Sequence, residues 1–139
     1  SREQQLWCEQ KIATILAQIN TLDGISIELH GGFGRAPKIL SSANQTLCKL
    51  VQSCGQTLGL NLEFLPTGGC CDGNNLAAAG LPNIDTLGVQ GGKIHSSDEY
   101  MHLSSLTTRS QLSALILIRL AQSEDLAWLQ RDGMVRPSC

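Results

Sequence analysis

After Lys38 the sequence alternates between two hydrophobic periods, and that alternation restricts the fold more than any other feature. Leu47, Leu50, Val51, Cys54 and Leu58 form one stripe at helical spacing, with Ser41 or Ser42 placed to cap the helix and Gly59 to stop it. Leu60, Leu62 and Phe64 then alternate with polar neighbours up to Pro66, the two-residue period of a strand. Asp72 is placed to cap a short helix through Leu76 to Ala79, closed by Gly80 with Pro82 behind it. Ile84 to Val89 reads as another strand. Ser104 or Ser105 starts a helix whose apolar residues, Leu106 to Leu120, cover nearly its whole circumference, so burial on most sides is expected. Helix, strand, helix, strand, helix predicts an α/β fold with a mostly parallel sheet and flanking helices. Such sheets bind ligands beyond the carboxyl ends of their strands. The Gly-rich loops Thr67 to Asn75 and Gly91 to Tyr100 both follow predicted strands, so one shared rim is expected.

The segment before Gly31 is different. Cys8, Ile12, Ile15, Leu16 and Ile19 recur at helical spacing, Asp23-Gly24 signals a turn, and Ile25, Ile27 and Leu29 alternate with Ser26, Glu28 and His30 as a half-buried strand. One helix and one strand cannot hide their apolar faces from water without partners. "GGFGRAPK" breaks the pattern and predicts a domain junction.

Composition excludes several classes. With 42% hydrophobic residues, 16% charged and a net charge of −2, the chain is neither disordered nor an electrostatic match for nucleic acid or an anionic membrane. Its longest apolar stretch, around Leu112 to Ala121, is far short of a spanning helix. The start, Ser-Arg-Glu-Gln-Gln, carries no initiator Met or export segment and looks like a cut inside something longer. Six cysteines lack the spacing of a zinc ribbon or a disulfide framework, so reduced thiols and a cytoplasmic setting are expected.

Three motifs then stand in order: Gly68, Gly69, Asp72 and Gly73 in one turn, Gly80 and Pro82 before a strand, and Gly91, Gly92, His95 and Glu99 in one loop. Each alone is weak, but together, from about Ile25 to Ala121, they resemble the C-terminal part of the two-zinc aminoacylase and carboxypeptidase family. That family includes glutamate carboxypeptidase, acetylornithine deacetylase and succinyl-diaminopimelate desuccinylase. The resemblance implies that residues 1–33 end an α+β lid domain that usually dimerises, that 34–125 are the C-terminal part of the zinc-peptidase-type catalytic domain, and that 126–139 are a polar tail. It implies a hydrolase cleaving amide bonds of acyl-amino acids or small peptides, with two zinc ions in the complete enzyme. The family's His-x-Asp motif, adjacent glutamate pair and further carboxylate ligand do not stand in these residues. Catalysis and stoichiometric zinc are therefore not expected of this chain alone. The alternative is a non-catalytic α/β interaction module derived from such an enzyme.

Read alone, His95 is one loop histidine with acidic neighbours, and such residues are usually solvated or hydrogen-bonded. The resemblance makes it a zinc ligand, a role that neutral imidazole suits. Glu99 is then a candidate to orient its ring, or a surface acid. Arg35, in the junction, resembles the residue that holds a substrate carboxylate, as a guanidinium fork can, against the alternative of a surface arginine. Gly68, Gly69 and Cys70 are candidates to present backbone N–H groups to substrate, although a tight turn alone explains the glycines. Asp72 reads as a cap, Asp98 as solvated, and His30 and His102 as carrying no role.

Overall fold

The computed structural model describes residues 1–124 and 126–129. Its elements are helix α1 (Arg2–Ile19), helix α2 (Ser42–Thr57), helix α3 (Asp72–Ala78), strand β1 (Gly91–Gly92), strand β2 (Tyr100–Met101), helix α4 (Ser104–Ala121) and a 3-10 turn at Ala127–Leu129 that packs on α2. The class is mixed α/β.

The core sits between α2 and α4. Val51, Cys54, Leu112 and Ile116 are buried there, and Leu60, Leu62, Ile84 and Leu87 pack against them from the two segments that the sequence predicts as strands. Polar side chains fix this layer at its borders. Arg119 donates from Nη1 to Ser53 Oγ at 2.8 Å and from Nη2 to Thr57 Oγ1 at 2.7 Å, tying α4 to α2. Gln52 Nε2 donates to the Leu62 carbonyl at 3.1 Å. Ser41 caps α2, its Oγ accepting from the Asn44 N–H at 3.2 Å, and Gly59 ends it at a φ of 71° that costs glycine nothing.

The mostly parallel sheet is not formed. Among the described residues the single ladder is antiparallel, Gly91 against Met101 and Gly92 against Tyr100. Residues 25–30, 60–64 and 84–89 carry no ladder. A strand is completed by inter-strand bonds, and alternation in one segment does not supply the partner. The last segment is also interrupted at Thr86, whose φ of 62° is an outlier for a β-branched residue. The sequence at 25–30 bonds instead to a side chain: Asn20 accepts from the Ile27 N–H at 2.8 Å and donates to the Ile27 carbonyl at 3.1 Å.

Two further expectations are corrected. Helix α4 is not buried on most sides: it buries Ser105, Leu112 and Ile116, while Leu106, Leu117 and Ile118 are exposed because no second layer covers that face. Asp72 does not cap α3. The N-cap is Cys71, and Asp72 is the first helical residue. Most of the expected tail, together with Cys139, lies outside the described residues. No helix among the described residues is long and apolar enough to cross a membrane.

Leu112 is fully buried in the α2–α4 contact and Leu117 is 67% exposed on the same helix. Leu112→Ala is expected to destabilise the fold by about 2–5 kcal/mol, and Leu117→Ala by no more than about 0.5 kcal/mol. Urea denaturation of both variants checks this. Equal losses would mean that the core lies elsewhere.

Candidate functional site

The junction and the first Gly-rich loop meet. Asn74 reaches from α3 to the junction, its Nδ2 donating to the Ala36 carbonyl at 2.9 Å, while its Oδ1 accepts from the Cys71 N–H at 3.0 Å. This buried amide sets the start of α3 against residue 36. Arg35 is thereby carried to the turn, where Nη2 pairs with Asp72 Oδ1 at 2.9 Å and Nη1 lies 3.9 Å from Cys70 Sγ. The Asp72 carboxylate is almost fully exposed, so water screens the pair and a competing carboxylate has access to the guanidinium. Two candidate substrate-binding elements, Arg35 and the turn of Gly68, Gly69 and Cys70, thus come together across 35 residues of sequence.

Behind that turn lies a cluster that sequence reasoning did not find. Asp85 Oδ2 accepts from Lys38 Nζ at 2.9 Å and from the Cys71 thiol at 2.9 Å. These two hydrogen bonds, the thiol's first, hold the Asp85 carboxyl below the usual carboxylate range. Asn83 donates to the Gly73 and Leu81 carbonyls, and its own carbonyl accepts from Asn44 Nδ2 at 3.2 Å. Gly73 is required here because a Cβ would stand 2.7 Å from both Asn83 Oδ1 and Asp85 Oδ2. The one signal available in the sequence was the three asparagines and two aspartates gathered between Asp72 and Asp85, too many for a surface loop without partners.

His95 lies on a hairpin whose base is the β1–β2 ladder, continued by the His102 N–H donating to the Gln90 carbonyl at 2.7 Å. Gly91 fits only as glycine, since a Cβ would strike the Tyr100 carbonyl, and at Gly92 a Cβ would push the Tyr100 ring aside. The loop is closed internally: Lys93 pairs with Asp98 at 3.2 Å, and Ser96 Oγ donates to the Lys93 carbonyl at 2.7 Å. Those bonds hold Lys93 and His95 at φ values of 54° and 65°. Positive φ outside glycine is uncommon, and it concentrates at ligand-binding positions. The His95 side chain is exposed, and Glu99 accepts from its backbone N–H at 3.4 Å rather than from its ring. His102 packs edge-on against Tyr100, with ring centroids 5.4 Å apart, and His30 stands in solvent 3.4 Å from Glu28.

Among the described residues, no three His, Cys, Asp or Glu side chains converge where a metal ion could be held. The residues present therefore do not fit a complete metal centre. His95 fits as a single donor with an accessible ring. The five described cysteines are free thiols. Burial pushes the Cys48 thiol up, against the opposing charge of Lys38, whereas Cys70 is exposed beside Arg35.

The ordered turn, the junction and the histidine hairpin fall within one stretch that matches a known family. A profile of the peptidase family M20/M25/M40 matches residues 7–119. The chain belongs to this family. Membership places it with metal-dependent, peptidase-type hydrolases. No curated protein and no solved structure matches the chain.

The lowered Asp85 pKa has a direction in pH. A carboxylate whose folded pKa is depressed stabilises the fold above its unfolded value, about 3.9, and that contribution is lost as pH falls through the lower folded value. Asp85→Asn is expected to be less stable than the parent near neutrality and to converge with it in acid. Thermal melts of both from pH 7 to pH 2 check this, and a gap that stays constant below pH 4 would mean that the carboxylate charge is not what stabilises.

Proposed function

We propose that this chain is the C-terminal part of an enzyme of this family that hydrolyses amide bonds of acyl-amino acids or small peptides, with Arg35 holding the free carboxylate of the substrate. The observation that carries the reading is the approach of Arg35 to the Gly68–Cys70 turn, with a guanidinium open to solvent and an exposed, exchangeable partner in Asp72. A planar fork recognises a carboxylate through two parallel hydrogen bonds. The backbone of Gly68, Gly69 and Cys70 then flanks the bound acid.

Residues 34–125 form the catalytic part in this reading, and residues 1–33 end the lid, through which two copies pair. In support, α1 buries none of its residues and the whole segment 21–34 is exposed. Two zinc ions are the cofactor implied, and bound zinc supplies an activated water at neutral pH. His95 is the donor that this chain contributes. The other ligands come from elsewhere in the complete enzyme, as does the general base.

Two substitutions in the full-length, metal-loaded enzyme test the reading. Arg35→Lys exchanges a fork for a point charge and is expected to cost about 1.5–3 kcal/mol of substrate binding. The loss should appear with a free-acid substrate and not with its carboxamide; the same factor on both would remove the carboxylate role. His95→Ala is expected to leave the fold intact, because the loop is exposed, while one of the two zincs binds far more weakly and turnover falls by orders of magnitude. Metal titration and turnover on one folded sample decide this. Two zincs retained at parental affinity would end the ligand assignment.

A further inference from the structure

We propose that Asp85 is a positioning residue for Arg35: its carboxylate holds the junction and the Gly-rich turn at a fixed separation, and so sets the guanidinium where a substrate carboxylate can reach it. The proposal rests on the reading of Arg35 as the carboxylate clamp.

Three consecutive ties attach the junction to its surroundings. Arg35 meets Asp72 at 2.9 Å, the Ala36 carbonyl receives Asn74 Nδ2 at 2.9 Å, and Lys38 Nζ meets Asp85 at 2.9 Å. The first tie is the one a substrate would disturb, so it cannot also define the geometry. The second fixes one point of the backbone. The third fixes the direction in which the junction leaves that point, because Pro37 stands between the two and its ring restricts φ.

Asp85 is suited to this in a way the other acids near the site are not. Lys38 is 22% and Asp85 41% exposed at the side chain, so this ion pair is partly screened from water, whereas in the Arg35 pair the carboxylate of Asp72 is 89% exposed. The same oxygen, Oδ2, accepts the thiol of Cys71, the N-cap of α3 and the residue between Cys70 and Asp72. One carboxylate oxygen therefore holds the residue three beyond Arg35 and the residue joining Arg35's two side-chain neighbours. Gly73 brings that oxygen close, since any Cβ there would displace it. Asn83, two residues before Asp85, is bonded to the Gly73 carbonyl at 3.1 Å and keeps Asp85 on the same side of the turn.

If Asp85 were only a structural staple, its loss would lower stability and affect every substrate alike. As a positioning residue it acts on one part of the substrate. In the full-length metal-loaded enzyme, Asp85→Asn is expected to raise KM for a free-acid substrate on the order of tenfold, within the reach of a small misplacement. Both kcat and the KM for the matching carboxamide should stay within about twofold, since no other substrate contact depends on the guanidinium. Lys38→Met removes the same tie from the other end and should reproduce the split. Lys38→Arg should restore it in large part, and this pair of variants carries the test should Asp85→Asn fail to fold. Equal effects on acid and carboxamide, or no effect of Lys38→Met on either, would overturn the proposal. Arg35→Lys, assayed alongside, separates the two levels. If it discriminates acid from carboxamide while the Asp85 and Lys38 variants do not, the clamp stands and the positioning role falls. If it does not discriminate, the clamp reading falls and this proposal falls with it.

Discussion

The dry contact between α2 and α4 is the interaction on which the rest of this structure depends. Val51, Cys54, Leu112 and Ile116 are the cluster from which water is excluded, and their burial supplies the driving force that the remaining segments borrow. Full burial of a side chain such as Leu112 stabilises by about 1.5–3 kcal/mol, more than any exposed ion pair can offer. Around that contact the chain is held by the packing of Leu60, Leu62, Ile84 and Leu87 and by hydrogen bonds at its borders. Arg119 bridges the two helices from the solvent side, Gln52 catches the segment after α2, and Ser105 accepts from the Gln90 N–H at 2.9 Å to hang the histidine hairpin from the start of α4. Both candidate sites are thus attached to the ends of the same two helices.

The two sites, placed at helix ends, differ in how their side chains are held. The Arg35 site is built from side chains that converge from the junction, α2, α3 and the segment before Thr86, and its buried amides leave little freedom. The His95 hairpin is closed on itself by Lys93, Ser96, Asp98 and Glu99, all exposed, and among the described residues no hydrogen bond fixes the imidazole ring. A metal ligand is ordinarily oriented by a hydrogen bond on its second ring nitrogen. The backbone of His95 is held at its positive φ, and the donor role proposed above would call for such an orienting partner on its ring.

What was legible in the sequence was local. The stripe of α2, its Gly59 stop and its cap, narrowed in sequence to Ser41 or Ser42, were legible because they depend on neighbours within a turn of helix. That His95 stands in a loop was visible from its glycines, whereas the ladder that makes the loop a hairpin was not. The strands were not secured by the same reasoning, because a strand is completed only by a second segment whose register the sequence does not state. The α4 helix misled for a related reason: an apolar circumference shows that burial is favourable and leaves open what does the burying. Lys38, Cys71 and Asp85 carry no mutual signal, being 47 residues apart at their extremes and ordinary at each position. Arg35 was singled out as a candidate through family resemblance, which carries pairings that periodicity cannot.

The unfinished surfaces bear on function as well as on stability. The chain exposes 10854 Å², whereas a compact monomer of 14.9 kDa exposes about 7,000 Å². Ile25, Ile27 and Leu29 alternate along a segment exposed at every residue, and Leu106, Leu117 and Ile118 lie open on α4. Exposed apolar residues gathered in this way favour a covering partner. The positions of Ile84, Leu87 and Thr86 matter most here, because that segment runs from Asp85 at the Arg35 site toward Gln90 at the base of the His95 hairpin. Under the function proposed above, Arg35 and His95 act on one substrate, and the covering of this segment would set their separation.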